Sequence, residues 1–154
     1  MALADSDKEP VISILNHIME TELAGVIRYT HYALMVAGYS RIPITKWLRQ
    51  QADEGLRHAQ EAGELVTQLG GRLSLKVGPL LETYSHDIGS ILRESLAHED
   101  FGRRLYEELL RRVNGRSVLL EEYARRLIVE EETHAGSVEK MLRRPEAAIV
   151  PENA

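Results

Sequence analysis

The chain contains no cysteine, a single phenylalanine, and no apolar run approaching the ~20 residues that a membrane-spanning helix needs. The absence of cysteine excludes disulfides, thiolate metal sites and cysteine nucleophiles, so any bound metal must take histidine and carboxylate ligands. No alternating apolar pattern of the kind that forms strands is present. Together these absences predict an all-α protein with no membrane partner.

An excess of positive charge is also missing. Lys and Arg number 19 against 24 Asp and Glu, which gives a formal net charge of −5 and argues against a nucleic-acid partner. The first residues, MALADSDKEP, lack the basic segment and apolar core of a signal peptide, so we expect a cytoplasmic protein. A length of 154 residues fits one domain, 1–154.

Apolar residues recur at helical spacing over four long segments. They predict helices at about 11–38, 43–69, 86–113 and 117–144, followed by a short tail at 145–154. Pro10 is expected just before the first helix. Gly70-Gly71, Asn114-Gly115 and Pro145 are expected to end the others.

The lengths of the links between these helices predict the topology. Short links near 39–42 and 114–116 make antiparallel neighbours of the first two helices and of the last two. The link at 70–85 is long enough to run the length of a bundle. We therefore predict a four-helix bundle of two antiparallel pairs joined by one long crossover.

The first and third helices repeat one pattern. A glutamate is followed by a glycine after three residues and a tyrosine after seven, which gives Glu22, Gly25 and Tyr29, and again Glu99, Gly102 and Tyr106. A histidine follows each glutamate one helix later: His58 after 36 residues and His134 after 35. Carboxylates and histidines distributed in this way over four helices are typical of a di-iron bundle.

The predicted ligands lie among core residues. Glu22 and Glu99 have apolar neighbours, which is costly for a charge unless it is paired or bound to metal. Glu131 stands three residues before His134, so both share one helix face and can reach the same ion, with Glu131 suited to bridge two ions. Such carboxylate-rich ligation suits iron or manganese.

Tyr29 and Tyr106 each lie two helical turns beyond a predicted ligand. Each phenol could donate a hydrogen bond to a ligand carboxylate of the opposite half and fix its orientation, or supply an electron during oxidation. The alternative is that both are ordinary tyrosines at the edge of the core.

One ligand is missing from the first half of the pattern. Gly55 stands three residues before His58, at the position that matches Glu131. Glu54, four residues before His58, is on the same face and could act as the sixth ligand if a π-bulge, eased by Gly55, shifted the register. Glu61, three residues after His58, is a less favoured substitute.

At these residues the chain resembles the bacterioferritins of the ferritin-like di-iron superfamily, from about residue 11 to residue 142. The segment ILNHIMETELAGVIRYTHYALM is similar to the family's first helix, and LAHEDFG and VEEETH are similar to its third- and fourth-helix motifs. The resemblance implies a ferroxidase centre that oxidises Fe(II) with oxygen or peroxide, within a hollow homo-oligomeric shell that stores ferric mineral.

Three departures from that pattern limit what the resemblance implies. Besides Gly55, the haem-ligating methionine of the family corresponds to Leu56, so we expect no haem. The tail is too short for the fifth helix of 24-subunit shells, so a shell of 12 subunits, as in Dps proteins, or of 24, built from dimers, stays open. Two other functions also stay open: a catalytically impaired structural or co-assembling subunit, and a rubrerythrin-type protein that reduces peroxide.

Overall fold

The computed structural model describes residues 3–80, 83–143 and 151–152. These residues form four helices and no strand: α1 (Asp5–Met35), α2 (Arg41–Gln68), α3 (Ile88–Val113) and α4 (Val118–Leu142). The all-α four-helix prediction is confirmed. Pro151 and Glu152 are not helical, and the rest of the predicted tail lies outside the described residues.

Helix α1 begins earlier than the sequence predicts. Pro10 does not precede the helix but lies inside it, five residues after Asp5. A proline so close to a helix start removes only one backbone hydrogen bond, to the carbonyl four residues earlier. The extra turn is anchored, because Leu3 is buried and Arg116 forms an ion pair of 2.5 Å with Asp7. Those tertiary contacts explain why the helix extends beyond the proline.

The helices pack as the link lengths predict. Helix α1 packs against α2, α3 against α4, and α1 also against α3. Helices α1 and α3 are antiparallel, because Glu22 is bonded to Tyr106 while Tyr32, later in α1, is bonded to Glu94, earlier in α3. The link after α2 then follows α1, with Arg72 bonded to Asn16 and Gly78 to Glu20. This link is the long crossover between the two helix pairs.

Two apolar clusters fill the bundle and leave a polar layer between them. The larger contains Leu15, Ile18, Tyr106 and Leu127, and the smaller contains residues such as Leu48 near the other end. Side-chain caps begin the second pair of helices: Asp87 accepts from Ser90 N and Ser117 accepts from Leu120 N. No helix among the described residues is both long and apolar enough to span a membrane.

Candidate metal centre

The polar layer surrounds a small, partly open cavity of about 20 Å³, on the scale of a single water-sized particle. All four helices contribute to its wall. The lining residues are Glu22, Gly25, Tyr29, Gln51, Glu54, Gly55, His58, His98, Glu99, Glu130, Glu131 and His134. All six predicted ligands and one of the two predicted tyrosines are therefore brought to one place.

One side of the cavity is formed by α1, α2 and α4. Glu22, His58 and Glu131 each offer a ligand atom, and these atoms lie within 4.8 Å of one another. His58 Nδ1 is 3.6 Å from Glu22 Oε1 and 4.0 Å from Glu131 Oε1. Three ligand atoms this close together could bind a single cation.

A second pair of candidate ligands in the cavity comes from α3 and α4. His134 Nε2 lies 3.9 Å from Glu99 Oε1. The His134 ring stacks on Trp47 of α2, with 5.6 Å between ring centroids and 14° between ring planes. The indole therefore fixes the orientation of this imidazole while its Nε2 faces the carboxylate.

Three of these ligand atoms are buried without a hydrogen-bond partner: His58 Nδ1, His134 Nε2 and Glu131 Oε2. An unsatisfied buried polar atom costs about 1–3 kcal/mol, so native proteins keep few of them. All three atoms belong to residues that line the same cavity. The donor set, two imidazole nitrogens among carboxylate oxygens, is one that suits iron.

The two repeated tyrosines cross the bundle. Tyr29 donates to Glu99 Oε1 at 2.5 Å, and Tyr106 donates to Glu22 Oε1 at 2.9 Å. Each phenol thus holds one oxygen of the carboxylate in the opposite half, and the second oxygen of that carboxylate remains available to bind a metal ion.

The carboxylates of the cavity have strongly altered acidities. Burial, together with the adjacent Glu99 carboxylate, raises the pKa of Glu131 far above its usual range. Burial also raises the pKa of Glu22, against the opposing effect of His58. For Glu99 burial is outweighed by Glu131, His134 and Tyr29, and the pKa is lowered. The metal-free cavity therefore favours a proton on Glu131, where a cation would otherwise balance the charge.

The pKa of His58 is also raised, which for a histidine favours the charged form. Burial lowers its pKa, but the nearby Glu22 carboxylate and the charges of Glu130 and Glu54 outweigh burial and raise the pKa to about 9. The imidazole therefore lies in a field of carboxylates that favours positive charge, whether carried by a proton or by a metal ion.

The residues around Gly55 do not adopt the arrangement suggested from sequence. Helix α2 is α-helical from Arg41 to Gln68, so the suggested π-bulge is not present. Glu54 offers its oxygen to the group formed by His58 and Glu130, apart from Glu22 and Glu131. Binding of Glu54 to the same ion as Glu22 and Glu131 therefore stays a prediction, and it requires the Glu54 side chain to move. Glu61, the less favoured substitute, does not line the cavity; it forms an ion pair with Arg126.

Three residues of the cavity wall, Gln51, Glu130 and His98, were not predicted. Glu130 lies 3.0 Å from His58 Nε2, although the run Glu130-Glu131-Glu132 resembles a solvated acidic face. His98, which the sequence assigns no role, packs against the Tyr29 ring. Both contacts cross between helices, so spacing along one helix does not predict them. The only sequence signal is the four-residue spacing of Arg126 and Glu130 on α4, which predicts their ion pair.

Gly25 makes room for His98. A Cβ atom at Gly25 would lie 2.7 Å from His98 Nε2, whereas one at Gly102, its counterpart in the repeat, would have its nearest neighbour, Thr21 Cγ2, at 4.0 Å. The repeated glycine therefore has a packing role in the first copy only.

This difference predicts unequal effects of the same substitution. Gly102→Ala should stabilise the protein by up to ~1 kcal/mol through helix propensity. Gly25→Ala must displace the His98 ring, so its free energy of unfolding should be lower than that of Gly102→Ala by roughly 1–3 kcal/mol. Urea unfolding of both variants measures the difference, and equal stabilisation would show that His98 has no fixed position over Gly25.

The bundle and its cavity define a class of protein: an all-α four-helix domain with glutamates and histidines turned into its centre. A sequence profile of the ferritin-like domain family matches residues 12–148, which is most of the chain. The chain therefore belongs to the ferritin-like domain family. A comparison with curated protein sequences found no match.

Solved structures with the same fold include three that are informative. A ferritin-like diiron-carboxylate protein of Bacillus anthracis has a TM-score of 0.85 at 20% identity, covering 91% of this chain and 100% of that one. The dodecameric thioferritin of Bacteroides fragilis has a TM-score of 0.78 at 23% identity, covering 88% of this chain and 85% of that one. The bacterioferritin of Desulfovibrio desulfuricans has a TM-score of 0.80 at 20% identity, covering 89% of this chain and 80% of that one. At these identities the likeness establishes the fold.

Proposed function

We propose that the chain binds two iron ions in the cavity and oxidises Fe(II) to Fe(III), as an iron-storing and iron-detoxifying protein. The observation that carries the proposal is the set of three buried, unpartnered ligand atoms on His58, His134 and Glu131. Two cations, one bound at each histidine, would satisfy these atoms, and no hydrogen bond within the described residues does so.

The ligands divide into two halves that share one residue. Glu22 and His58 Nδ1 would hold one ion, and Glu99 and His134 Nε2 would hold the other. Glu131 Oε1 lies 4.0 Å from His58 Nδ1, and Glu131 lowers the pKa of Glu99, so its carboxylate would serve both halves. The first half lacks the carboxylate that Gly55 replaces, which makes the two halves unequal.

The chemistry asked of the site is a two-electron transfer. Each Fe(II) gives up one electron, so a pair can reduce dioxygen with two protons to hydrogen peroxide, or peroxide with two protons to water. The carboxylates stabilise the higher charge of Fe(III) as it forms. Tyr29 and Tyr106 keep two of those carboxylates oriented.

Assembly into a hollow shell is part of the proposal. Apolar residues on α1 and α2 are exposed in the single chain, among them Ile27 at 45%, Leu34 at 67% and Leu56 at 42%. Such a surface suits contact with a second copy. The thioferritin of similar fold is dodecameric, and we propose a homo-oligomeric shell of 12 or 24 subunits for this chain.

Aerobic addition of Fe(II) to the apo-protein tests the proposal. We expect the near-ultraviolet absorbance of Fe(III) to develop much faster than in buffer alone, at a ratio of two Fe(II) per chain. Prior loading with Zn(II), which has no redox chemistry, should suppress the rapid phase. A rate no higher than that of buffer would contradict ferroxidase activity.

A second function is favoured by Gly55. Without a carboxylate there, the chain could be a structural subunit that binds one ion or none and co-assembles with a competent partner. Equilibrium binding of Fe(II) under nitrogen separates the two functions: two tightly bound ions per chain favour the ferroxidase, and one or none favours the structural subunit.

A further inference from the structure

His58 presents its two ring nitrogens to two different environments. The side chain is buried, with 8% of the residue exposed. Nε2 lies 3.0 Å from Glu130 Oε2, at hydrogen-bond distance. Nδ1 has no hydrogen-bond partner and faces Glu22 and Glu131 across the cavity.

We propose that Glu130 is a positioning residue, which holds the proton of His58 on Nε2 and so leaves Nδ1 free to bind a cation. This inference rests on the proposed function. An ionised carboxylate only accepts hydrogen bonds, so the contact requires N–H at Nε2. Neutral imidazole carries one N–H, and its lone pair is then on Nδ1. Glu130 thus fixes both the tautomer and the rotation of the ring.

Glu130 is itself held in place. Its other oxygen, Oε1, accepts from Arg126 at 3.4 Å one helical turn earlier on α4. The same guanidinium forms an ion pair with Glu61 of α2. Polar contacts therefore link α2 to α4 in the order Glu61, Arg126, Glu130 and His58, with the Arg126 cation between two carboxylates. Because both carboxylate oxygens are engaged, Glu130 is constrained to face the imidazole.

A different arrangement would use the same residues as ligands. Oxygens of Glu54 and Glu130 lie within 4.8 Å of each other and of a His58 nitrogen, so a cation could bind there. Such a cation would require Nε2 to lose its proton and would compete with Arg126 for Glu130. The hydrogen bonds already present favour the positioning role, and an ion between Glu54 and Glu130 would contradict it.

Co(II) binding to the full-length apo-protein tests the assignment, since the visible spectrum of Co(II) reports its ligands. Glu130→Ala should lower the affinity for one of the two Co(II) ions by about 10–100-fold. This is the usual loss when the hydrogen-bond partner of a ligating histidine is removed. Glu130→Gln should restore most of the affinity, because its amide oxygen still accepts from Nε2. Glu132→Ala, at an exposed neighbour, is the matched control and should bind as the wild type.

The outcomes separate the two proposals. If the wild type binds two Co(II) ions and Glu130→Ala binds both unchanged, the positioning role is wrong while the two-ion site stands. Anomalous scattering at the cobalt edge that shows an ion bound to His58 Nε2 would also contradict the positioning role and leave the two-ion site standing. If the wild type binds no Co(II) in the cavity, both proposals fail. Loss in Glu130→Ala with recovery in Glu130→Gln supports the role.

Discussion

Replacing Glu131 by glutamine should abolish rapid oxidation of Fe(II) and at the same time make the metal-free protein more stable. In the proposed site Glu131 contacts both ions, so its loss should slow Fe(III) formation by on the order of 100-fold or more, which is at least the effect of removing a residue that only orients a ligand. The glutamine has nearly the same shape and should leave the bundle intact.

The gain in stability follows from the acidity of Glu131. Its pKa is raised in the folded state, so the ionised form is disfavoured there and folding loses free energy as pH rises above the usual glutamate value. A neutral glutamine removes this cost, and we expect the free energy of unfolding near neutral pH to rise by roughly 1–3 kcal/mol.

Stopped-flow absorbance and urea unfolding of the same samples provide the two measurements. Glu132→Gln is the matched control, because Glu132 is the exposed neighbour in the same acidic run, and it should change neither value. Equal oxidation rates for wild type and Glu131→Gln would show that the ion pair does not depend on this carboxylate.

Gly55→Glu should strengthen the weaker half of the site. A Cβ atom at Gly55 would lie 3.7 Å from Glu22 Oε2, so a side chain added here starts next to the ligand carboxylate. A new carboxylate at this position should tighten the ion held by Glu22 and His58 by at least about tenfold, equivalent to ~1.4 kcal/mol. Without metal, the added charge should destabilise the protein, because it is placed among other buried carboxylates.

Gly55→Ala separates the carboxylate from the side chain. The nearest atoms to the added Cβ, Glu22 O and Val26 Cγ2, lie at 3.4 Å, so alanine fits with little movement. It should stabilise the helix by up to ~1 kcal/mol and leave cation affinity unchanged. Calorimetric titration of both variants with Fe(II) under nitrogen decides the matter. Equal affinities in Gly55→Glu and Gly55→Ala would mean that the missing glutamate does not limit the site.

Much of the fold could be predicted from the sequence because its signals are local. Helical periodicity and link lengths are properties of short segments, and they located α2, α3 and α4 to within about two residues. The start of α1 could not be predicted in this way. Pro10 favours a helix start, and only tertiary contacts, the burial of Leu3 and the ion pair of Asp7, carry the helix past it.

The cavity shows the same division. The repeat predicts that each tyrosine can reach the glutamate of the opposite copy. In two antiparallel helices the same seven-residue offset brings Tyr29 level with Glu99 and Tyr106 level with Glu22. Glu130 and His98 could not be assigned from spacing, since each acts on a different helix from its own. The position of Glu54 depends on whether α2 keeps its regular register, which a sequence pattern does not determine.

Anomalous scattering at the iron edge, recorded from crystals of the full-length protein soaked in Fe(II), tests the central claim most directly. We expect two iron ions in the cavity: one beside Glu22 and His58 Nδ1, one beside Glu99 and His134 Nε2, with Glu131 between them. The first should show the lower occupancy because Gly55 supplies no carboxylate. A cavity without iron, or iron found only outside it, would contradict the proposed centre.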